Sequence, residues 1–191
     1  MHVSETNTSL RSQILIAMPS LHDSNFSKTI TLICEHSAEQ GAMGIILNQP
    51  TSLDIYELIE ADIMPDKDDP LLSIRIHSGG PIDIDHGFIL HDCDIEREST
   101  IQIAPTLFLT ASSGILDEIA ENKGPSNKLI ALGYAGWSPG QLEAEMSTNS
   151  WLTTEYQHQL VFDTPANRQW LEAGKQLGID LNLLNSQPGH A

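Results

Sequence analysis

The chain has 191 residues, which is enough for one sizeable core and short for two full domains. Hydrophobic residues make up 40% of it, too many for a disordered chain. Its formal net charge is −17, with nine scattered basic residues against 26 acidic ones. This charge disfavours direct binding to DNA or to anionic membranes, since both need clustered cations.

The sequence predicts a cytoplasmic protein without a membrane segment. No apolar run approaches the roughly 20 residues that a transmembrane helix needs. Residues 1–13 are polar and lack the basic-then-apolar pattern of a secretory signal. Cys34 and Cys93 are the only cysteines, too few for a disulfide scaffold, so a reducing compartment is the simplest interpretation.

Three strands are predicted in the first quarter of the chain. Residues 14–18 form a continuous apolar run that ends at Pro19, which is typical of a strand buried on both faces. Residues 29–36 are rich in β-branched side chains and alternate in polarity, and residues 43–47 are apolar again. These three segments predict the centre of a sheet.

The rest of the chain mixes predicted strands and helices without an internal repeat or a linker, which predicts one domain. In a strand near residue 76, alternation points Ile74 and Ile76 inward and His77 outward. The other predicted elements are a short helix after Ser52, an acidic loop over 62–70, a turn at 78–81, strands at 87–91, 100–110, 129–135, 151–154 and 160–162, and helices beginning at Ser113, Ser138 and Thr164.

Cys34, Glu35 and His36 form the first candidate group for chemistry. Strict alternation would place Cys34 and His36 on one strand face, as a ligand pair or a nucleophile–base pair requires, and Glu35 on the other. No second cysteine follows at ligand spacing, so a small buried side chain is the favoured role for Cys34. Glu35 is a separate candidate for a polar groove.

Recognisable cofactor and metal motifs are missing from the sequence. It contains no dinucleotide-binding glycine pattern, no phosphate-binding loop and no nucleophile elbow. Residues 83–94 are rich in Asp and His, but their spacing fits no zinc or calcium site. The turn Gly79-Gly80-Pro81 could cradle an anion, although a structural turn is favoured. We therefore predict no cofactor and no metal.

The segment 133–143 predicts a strand, a Gly-rich loop and a helix start. Ser138 and Gln141 have the spacing of a capping box, with Pro139 at the first helical position. Trp137 lies on the loop before this helix, where ligands of α/β proteins often bind. Two roles stay open for Trp137, which are stacking on a ligand and packing of the loop onto the core.

Several motifs together resemble those of the AlgH/YqgE family of bacterial proteins, over about residues 13–183. The matching segments are Met18-Pro19-Ser20-Leu21, Leu32 to His36, Gly41 to Pro50, Gly79-Gly80-Pro81, Gly87 to His91, Gly133 to Glu143 and Trp151-Leu152.

The resemblance implies one α/β domain, of mixed α+β type, over residues 13–184, with flexible ends at 1–12 and 185–191. It implies a bifurcated mixed sheet curled into a pseudo-barrel, helices packed outside, and a crevice lined by the matching segments. Members are described as cytosolic candidate transcriptional regulators, and no settled activity comes with the fold.

Our first hypothesis is a regulator that binds an unidentified small molecule or protein in this crevice, without direct DNA binding. Trp137 would stack, while Asn48, Gln141 and Glu143 would orient the ligand. An alternative is a hydrolase with Glu35 or Glu143 as base and His36 as acid or base, and a second is a direct transcriptional regulator. The predicted crevice residues are Glu35, His36, Asn48, Gly79, Gly80, Pro81, Gly136, Trp137, Gln141 and Glu143.

Overall fold

The structure is a computed structural model that describes residues 9–59, 68–93, 99–111, 113–121 and 123–185. Most of the two predicted flexible ends, 1–12 and 185–191, lies outside the described residues. Most of the acidic loop predicted over 62–70 lies outside them too.

The described residues form one curled sheet of nine strands. The strands are β1 (Gln13–Ala17), β2 (Ile30–Ser37), β3 (Gly41–Ile46), β4 (Ile76–Ser78), β5 (Ile82–His91), β6 (Thr100–Ala104), β7 (Leu107–Thr110), β8 (Lys128–Trp137) and β9 (Trp151–Glu155). Their order is β6-β7-β5-β8-β3-β2-β1-β9, with β4 paired to β8 off this path. All pairs are antiparallel except β4 with β8.

Strand β8 is where the sheet divides. One edge pairs with β5, while the other pairs first with β4, at Ile130–Leu132, and then with β3, at Ala135–Trp137. The sheet is curled, and the curl brings Ile14 of β1 and Leu109 of β7 into the same buried cluster. Arg11 donates a hydrogen bond across this curl to the carbonyl of Gln102 on β6, at 2.6 Å. The mixed, bifurcated and curled sheet implied by the family resemblance is therefore confirmed.

Helices cover the outside of the sheet. Their bounds are α1 (Ile55–Leu58), α2 (Ser113–Ala120), α3 (Gln141–Ser147) and α4 (Ala166–Gln176), with 3₁₀ turns at Pro70–Ser73 and Leu183–Asn185. Asp54 caps α1 with a full capping box, because its side chain accepts from the Glu57 N–H and the Glu57 side chain accepts from the Asp54 N–H. Trp170 of α4 donates its indole N–H to the Ala17 carbonyl, which fixes α4 against β1.

The segment predicted as a strand at 160–162 is instead a turn of π-helix, Gln159–Asp163. A run of three apolar residues does not distinguish the two conformations, since either one buries it. Gln169 of α4 stabilises the observed form by donating to the carbonyls of Leu160 and Val161, at 2.8 and 3.2 Å. This contact joins residues eight and nine positions apart, so local pattern does not reveal it.

His77 was predicted to point outward, but it is only 9% exposed in β4. Burial lowers its pKa from the ordinary 6.5, although weaker polar contacts with the backbone of Ile130 and Arg75 oppose the shift. The unfolded chain therefore takes up a proton at a higher pH than the folded chain does. The lowered pKa of His77 contributes stability that is fully present above pH 6.5 and is lost as the pH falls toward the lowered pKa.

We therefore expect the free energy of unfolding to fall more steeply between pH 7.5 and 5.5 in the wild type than in His77→Asn. The difference in slope has a ceiling of about 1.4 kcal/mol per pH unit, the value for one proton. Urea unfolding at several pH values measures both slopes, and equal slopes would contradict the assignment.

Candidate functional site

An open cleft of about 750 Å³ lies where the end of β2, the start of β3 and the end of β8 meet. We call it the first cleft. Its volume falls within the range of about 300–1,000 Å³ that is usual for ligand sites. Side chains and backbone that line it include Arg11, Glu35, His36, Gln40, Met43, Tyr134, Gly136 and Trp137.

A β-bulge at Cys34 decides which face of the sheet Glu35 and His36 each occupy. The register between β2 and β3 shifts there, so that Glu35 lies opposite Met43 and His36 lies opposite Ala42. Cys34 and Met43 pack with the cluster inside the curl, whereas Ala42 belongs to the cluster beneath α3. The predicted sharing of one face by Cys34 and His36 is therefore wrong, because the extra residue reverses the alternation beyond it.

Cys34 is fully buried, with its thiol 3.7 Å from the Leu32 carbonyl. Burial, and then the negative charge of Glu35, raise the pKa of the Cys34 thiol far above its usual value. A thiol that stays protonated is neither a nucleophile nor a metal ligand. The interpretation of Cys34 as a small buried side chain is confirmed.

His36 lines the first cleft and forms a connected pair with Glu143, which is not itself among the lining residues. The Leu10 N–H donates to His36 Nδ1 at 2.9 Å, and His36 Nε2 lies 2.9 Å from a carboxylate oxygen of Glu143. Because Nδ1 accepts, the proton of the neutral ring lies on Nε2 and is donated to Glu143. The His36 side chain is 3% exposed and that of Glu143 is 43% exposed. Both ring nitrogens are therefore occupied, and the ring is held in one orientation.

We expect nitrogen NMR of His36 to show the tautomer protonated at Nε2 and unprotonated at Nδ1. Glu143→Gln keeps an acceptor for Nε2–H and retains this pattern. Glu143→Ala removes the acceptor and lowers the free energy of unfolding by about 0.5–1.5 kcal/mol. A wild-type spectrum with the proton on Nδ1 would contradict the hydrogen bond from Leu10.

Trp137 lies at the end of β8, but its side chain packs into the core at 5% exposure. Its ring lies 5.9 Å from that of Trp151 and 6.0 Å from that of Phe26. The indole N–H groups of Trp137 and Trp151 donate to the same carboxylate oxygen of Glu145, at 3.0 and 2.7 Å. Of the two roles left open for Trp137, this geometry favours packing, because little of the ring is left for a ligand.

The helix predicted to begin at Ser138 begins at Gln141, with Gly140 at the N-cap in a left-handed conformation. Half of the predicted capping box is present, since Gln141 Oε1 accepts the Ser138 N–H at 3.0 Å. The amide of Gln141 also donates to Glu145, at 2.9 Å. Gln141 is thereby engaged in the start of α3, outside the set that lines the first cleft.

Asn48 does not join the first cleft. Its side-chain oxygen accepts the Ile30 N–H at 2.8 Å, and its amide donates to the Lys28 carbonyl at 2.9 Å. These bonds hold the loop before β2 against the end of β3. The structure therefore places Asn48 as a backbone clamp at the other end of these strands.

Gly79, Gly80 and Pro81 also lie outside the first cleft. The Gly79 N–H donates to the Leu132 carbonyl at 2.7 Å, and the Gly79 carbonyl accepts from the Ile46 N–H at 2.8 Å. These glycines let the chain pass directly over β8. The favoured interpretation as a structural turn agrees with these bonds, since Gly79 has no N–H left for an anion.

The prediction from sequence missed several residues of the first cleft. Arg11, Gln40, Met43, Ile82 and Tyr134 all line it, and Ile82 is 37% exposed. Arg11, Gln40 and Ile82 lie outside every segment that matches the family. Met43 and Tyr134 lie inside the matching segments 41–50 and 133–143, and their apolar or aromatic side chains did not single them out there. Arg11 had one usable signal, since it is the only basic residue before the first strand apart from His2.

Two features are absent from the described residues. No helix there is long and apolar enough to cross a membrane. No group of three or more His, Cys, Asp or Glu side chains in that part of the chain is arranged to hold a metal ion.

Comparison with known proteins gives consistent matches over almost the whole chain. Residues 14–182 match a family described as AlgH-like. A UPF0301 protein of Saccharophagus degradans is 48% identical over 183 residues, covering 96% of this chain and 89% of the relative. One from Pseudomonas aeruginosa strain UCBPP-PA14 is 43% identical, covering 96% of this chain and 97% of the relative.

Two solved structures share the fold. The solution structure of AlgH from Pseudomonas aeruginosa has a TM-score of 0.78 and 40% identity, covering 100% of both chains. A crystal structure of a Corynebacterium diphtheriae protein has a TM-score of 0.72 and 20% identity, covering 92% of this chain and 91% of the other. At that identity the second match concerns the fold alone.

Proposed function

Because the chain belongs to the AlgH-like family, we propose that it is a cytoplasmic regulatory protein that binds a small polar molecule in the first cleft. Such a protein would act on other molecules through this ligand, without contacting DNA. The observation that carries the proposal is the convergence of four distant chain segments on one open cleft with a polar rim held in place by hydrogen bonds.

Strands supply most of the cleft, and this supports binding. Glu35 lies on β2 and Gly136 lies on β8, and both strands pair with β3, which fixes their register. His36 is fixed from both sides, by Leu10 and by Glu143. A site built on such elements loses little side-chain entropy when a ligand enters.

The charges of the first cleft suggest the class of ligand. Arg11 supplies a guanidinium group and Glu35 a carboxylate, and both are exposed residues that line the cleft. One guanidinium nitrogen of Arg11 is held by the Gln102 carbonyl, which orients the group. A small zwitterion with one anionic and one cationic group, such as an amino acid or a short peptide, would pair with both.

The hydrolase hypothesis is less well supported by the same geometry. A general acid or base needs a ring nitrogen that can reach the substrate. Both nitrogens of His36 already have partners in Leu10 and Glu143. The buried Cys34 thiol does not line the cleft.

A thermal-shift screen of amino acids and short peptides tests the proposal. A ligand at 100 times its Kd stabilises the protein by about 2.7 kcal/mol, which raises Tm by roughly 5–10 °C for a chain of this size. Glu35→Gln and Arg11→Gln reduce the shift, because each removes one charge that faces the ligand. Glu155→Gln, an exposed change on the edge strand β9, is the matched control and keeps it. The absence of any shift across the library would refute the proposal.

Direct DNA binding is tested separately by an electrophoretic mobility shift at low salt. With a net charge of −17 we expect no submicromolar complex with a DNA duplex. A complex that forms below about 1 µM, tighter than typical non-specific binding to DNA, and weakens with salt would favour the direct regulator instead.

A further inference from the structure

A second open cleft, of about 730 Å³, lies at the opposite end of strands β3 and β8. We call it the second cleft. It is bounded by the end of β3 at Leu47, by the segment leading into β4, by the start of β8 at Lys128, and by the π-helical turn with the first residues of α4. It shares no lining residue with the first cleft.

The described residues that line the second cleft carry positive charge and no carboxylate. They include Arg75 and Lys128, two of the nine basic residues of a chain that has 26 acidic ones. Lys128 Nζ donates to the Pro125 carbonyl at 2.9 Å, which holds the ammonium group near the cleft and leaves it two further N–H donors. In so acidic a protein this combination favours an anionic ligand.

Gln169 lines the same cleft and is 2% exposed. Its amide nitrogen donates to the carbonyls of Leu160 and Val161, so the orientation of the amide is fixed by two acceptors. The amide oxygen is left buried without a partner among the described residues. Buried polar atoms are nearly always hydrogen-bonded, so this acceptor points to a donor that none of the described residues supplies.

His77, also a lining residue, has a second such atom. Its Nδ1 is buried without a partner among the described residues, and the residue is 9% exposed. Two buried side chains with unsatisfied polar atoms therefore border one cleft. A ligand with hydroxyl groups would satisfy both, since a hydroxyl group donates to an acceptor and accepts from a donor.

The start of α4 adds donors for an anion. Ala166 and Asn167, its first two residues, line the second cleft. The helix has 11 residues and its N-cap, Pro165, offers no side-chain cap. The first N–H groups of a helix lack intrahelical partners and carry a partial positive charge, which favours phosphate.

We propose that the second cleft is a binding site for a phosphorylated small polyol. The phosphate group binds Arg75, Lys128 and the first N–H groups of α4. The hydroxyl groups bind the side chains of Gln169 and His77. This site is separate from the first cleft, so it stands or falls independently of the function proposed above.

Glycerol 3-phosphate is the probe that tests this assignment on the full-length protein. Isothermal titration measures its affinity, and amide chemical shifts locate it. We expect Arg75→Gln and Lys128→Gln each to weaken binding by about tenfold, the loss of one charge-assisted hydrogen bond. The largest shifts fall on Ala166, Asn167 and the side-chain amide of Gln169.

Two controls separate the phosphate contacts from the hydroxyl contacts. Lys123→Gln makes the same charge change at a Lys that is paired with Glu121 outside the second cleft, and it leaves the affinity unchanged. Propyl phosphate keeps the phosphate group and lacks the hydroxyl groups, and we expect it to bind about tenfold more weakly.

Three results would overturn the proposal. The first is that glycerol 3-phosphate does not bind. The second is that Lys123→Gln weakens its binding as much as Arg75→Gln does. The third is that propyl phosphate binds with the same affinity as glycerol 3-phosphate. Arg11→Gln and Glu35→Gln change the first cleft alone and leave glycerol 3-phosphate binding intact, which distinguishes the two sites experimentally.

Discussion

Replacing Gly80 with alanine is expected to prevent the protein from folding. A Cβ atom at this position would lie 2.1 Å from the Tyr134 carbonyl carbon and 2.2 Å from its oxygen. These are backbone atoms of the central strand β8, so no side-chain rotation relieves the overlap. The backbone at Gly80 also has a φ of +153°, which disfavours any residue with a Cβ. We expect a loss of more than about 4 kcal/mol, which is a large part of the stability of a typical domain.

Gly87→Ala is the matched control for this prediction. Gly87 lies on β5, where an added Cβ would meet nothing within 4 Å, and its φ is not positive. We expect a change within about 0.5 kcal/mol, as for most surface substitutions. Circular dichroism and urea unfolding of both variants measure the contrast. A folded Gly80→Ala of normal stability would show that the turn over β8 is not constrained as described.

The local pattern of the sequence was sufficient to predict most of the sheet. The apolar run at 14–18 and the alternation at 29–36 correspond to β1 and β2, and residues 43–47 overlap β3. Burial of apolar surface determines these strands, because no other conformation of the segments removes as much of that surface from water. The curl and the bifurcation of the sheet were implied by the family resemblance, and the structure locates the branch at β8. Local pattern does not predict these features, since they depend on pairings between segments far apart in the chain.

The first cleft was only partly predictable, for two physical reasons. A β-bulge adds one residue without changing composition, so nothing in the letters around Cys34 shows that Glu35 and His36 change faces there. The second reason is that Asn and Gly occur both where a ligand binds and where the backbone needs a hydrogen bond or a close approach. Asn48 and Gly80 look like binding residues, yet backbone hydrogen bonds and close backbone packing account for both.

Glu145 illustrates what sequence pattern leaves out. It lies on α3, where an acidic residue is ordinarily taken as part of a solvated helix face. In the fold it accepts the indole N–H groups of Trp137 and Trp151 and the amide of Gln141. The two tryptophans are 14 positions apart in sequence, and Trp151 is held in place by the pairing of β9 with β1, where it lies opposite Ala17.

Trp137→Ala is expected to lower the free energy of unfolding by about 3–5 kcal/mol, as large-to-small changes at buried aromatic residues do. The variant leaves a cavity beside Phe26 and Trp151 and removes one of the two indole donors of Glu145. Urea unfolding, followed by the fluorescence of the remaining tryptophans, measures this loss. Of the two roles that the sequence leaves open for Trp137, the buried position of the ring favours packing, and therefore a loss of stability in this variant.

Trp137→Phe separates packing from hydrogen bonding in the same cluster. It keeps an aromatic ring against Phe26 and Trp151 but has no N–H for Glu145, so we expect a smaller loss of about 1–2 kcal/mol. Ile84→Ala is the control for removing an apolar side chain from the surface, since Ile84 is 62% exposed. A Trp137→Ala protein with wild-type stability and no binding of zwitterions to the first cleft would instead make the ring a ligand contact. A loss in the free energy of unfolding that is largest for Trp137→Ala, smaller for Trp137→Phe and smallest for Ile84→Ala would show that Trp137 holds the end of β8 in position. The first cleft would then depend on Trp137 indirectly.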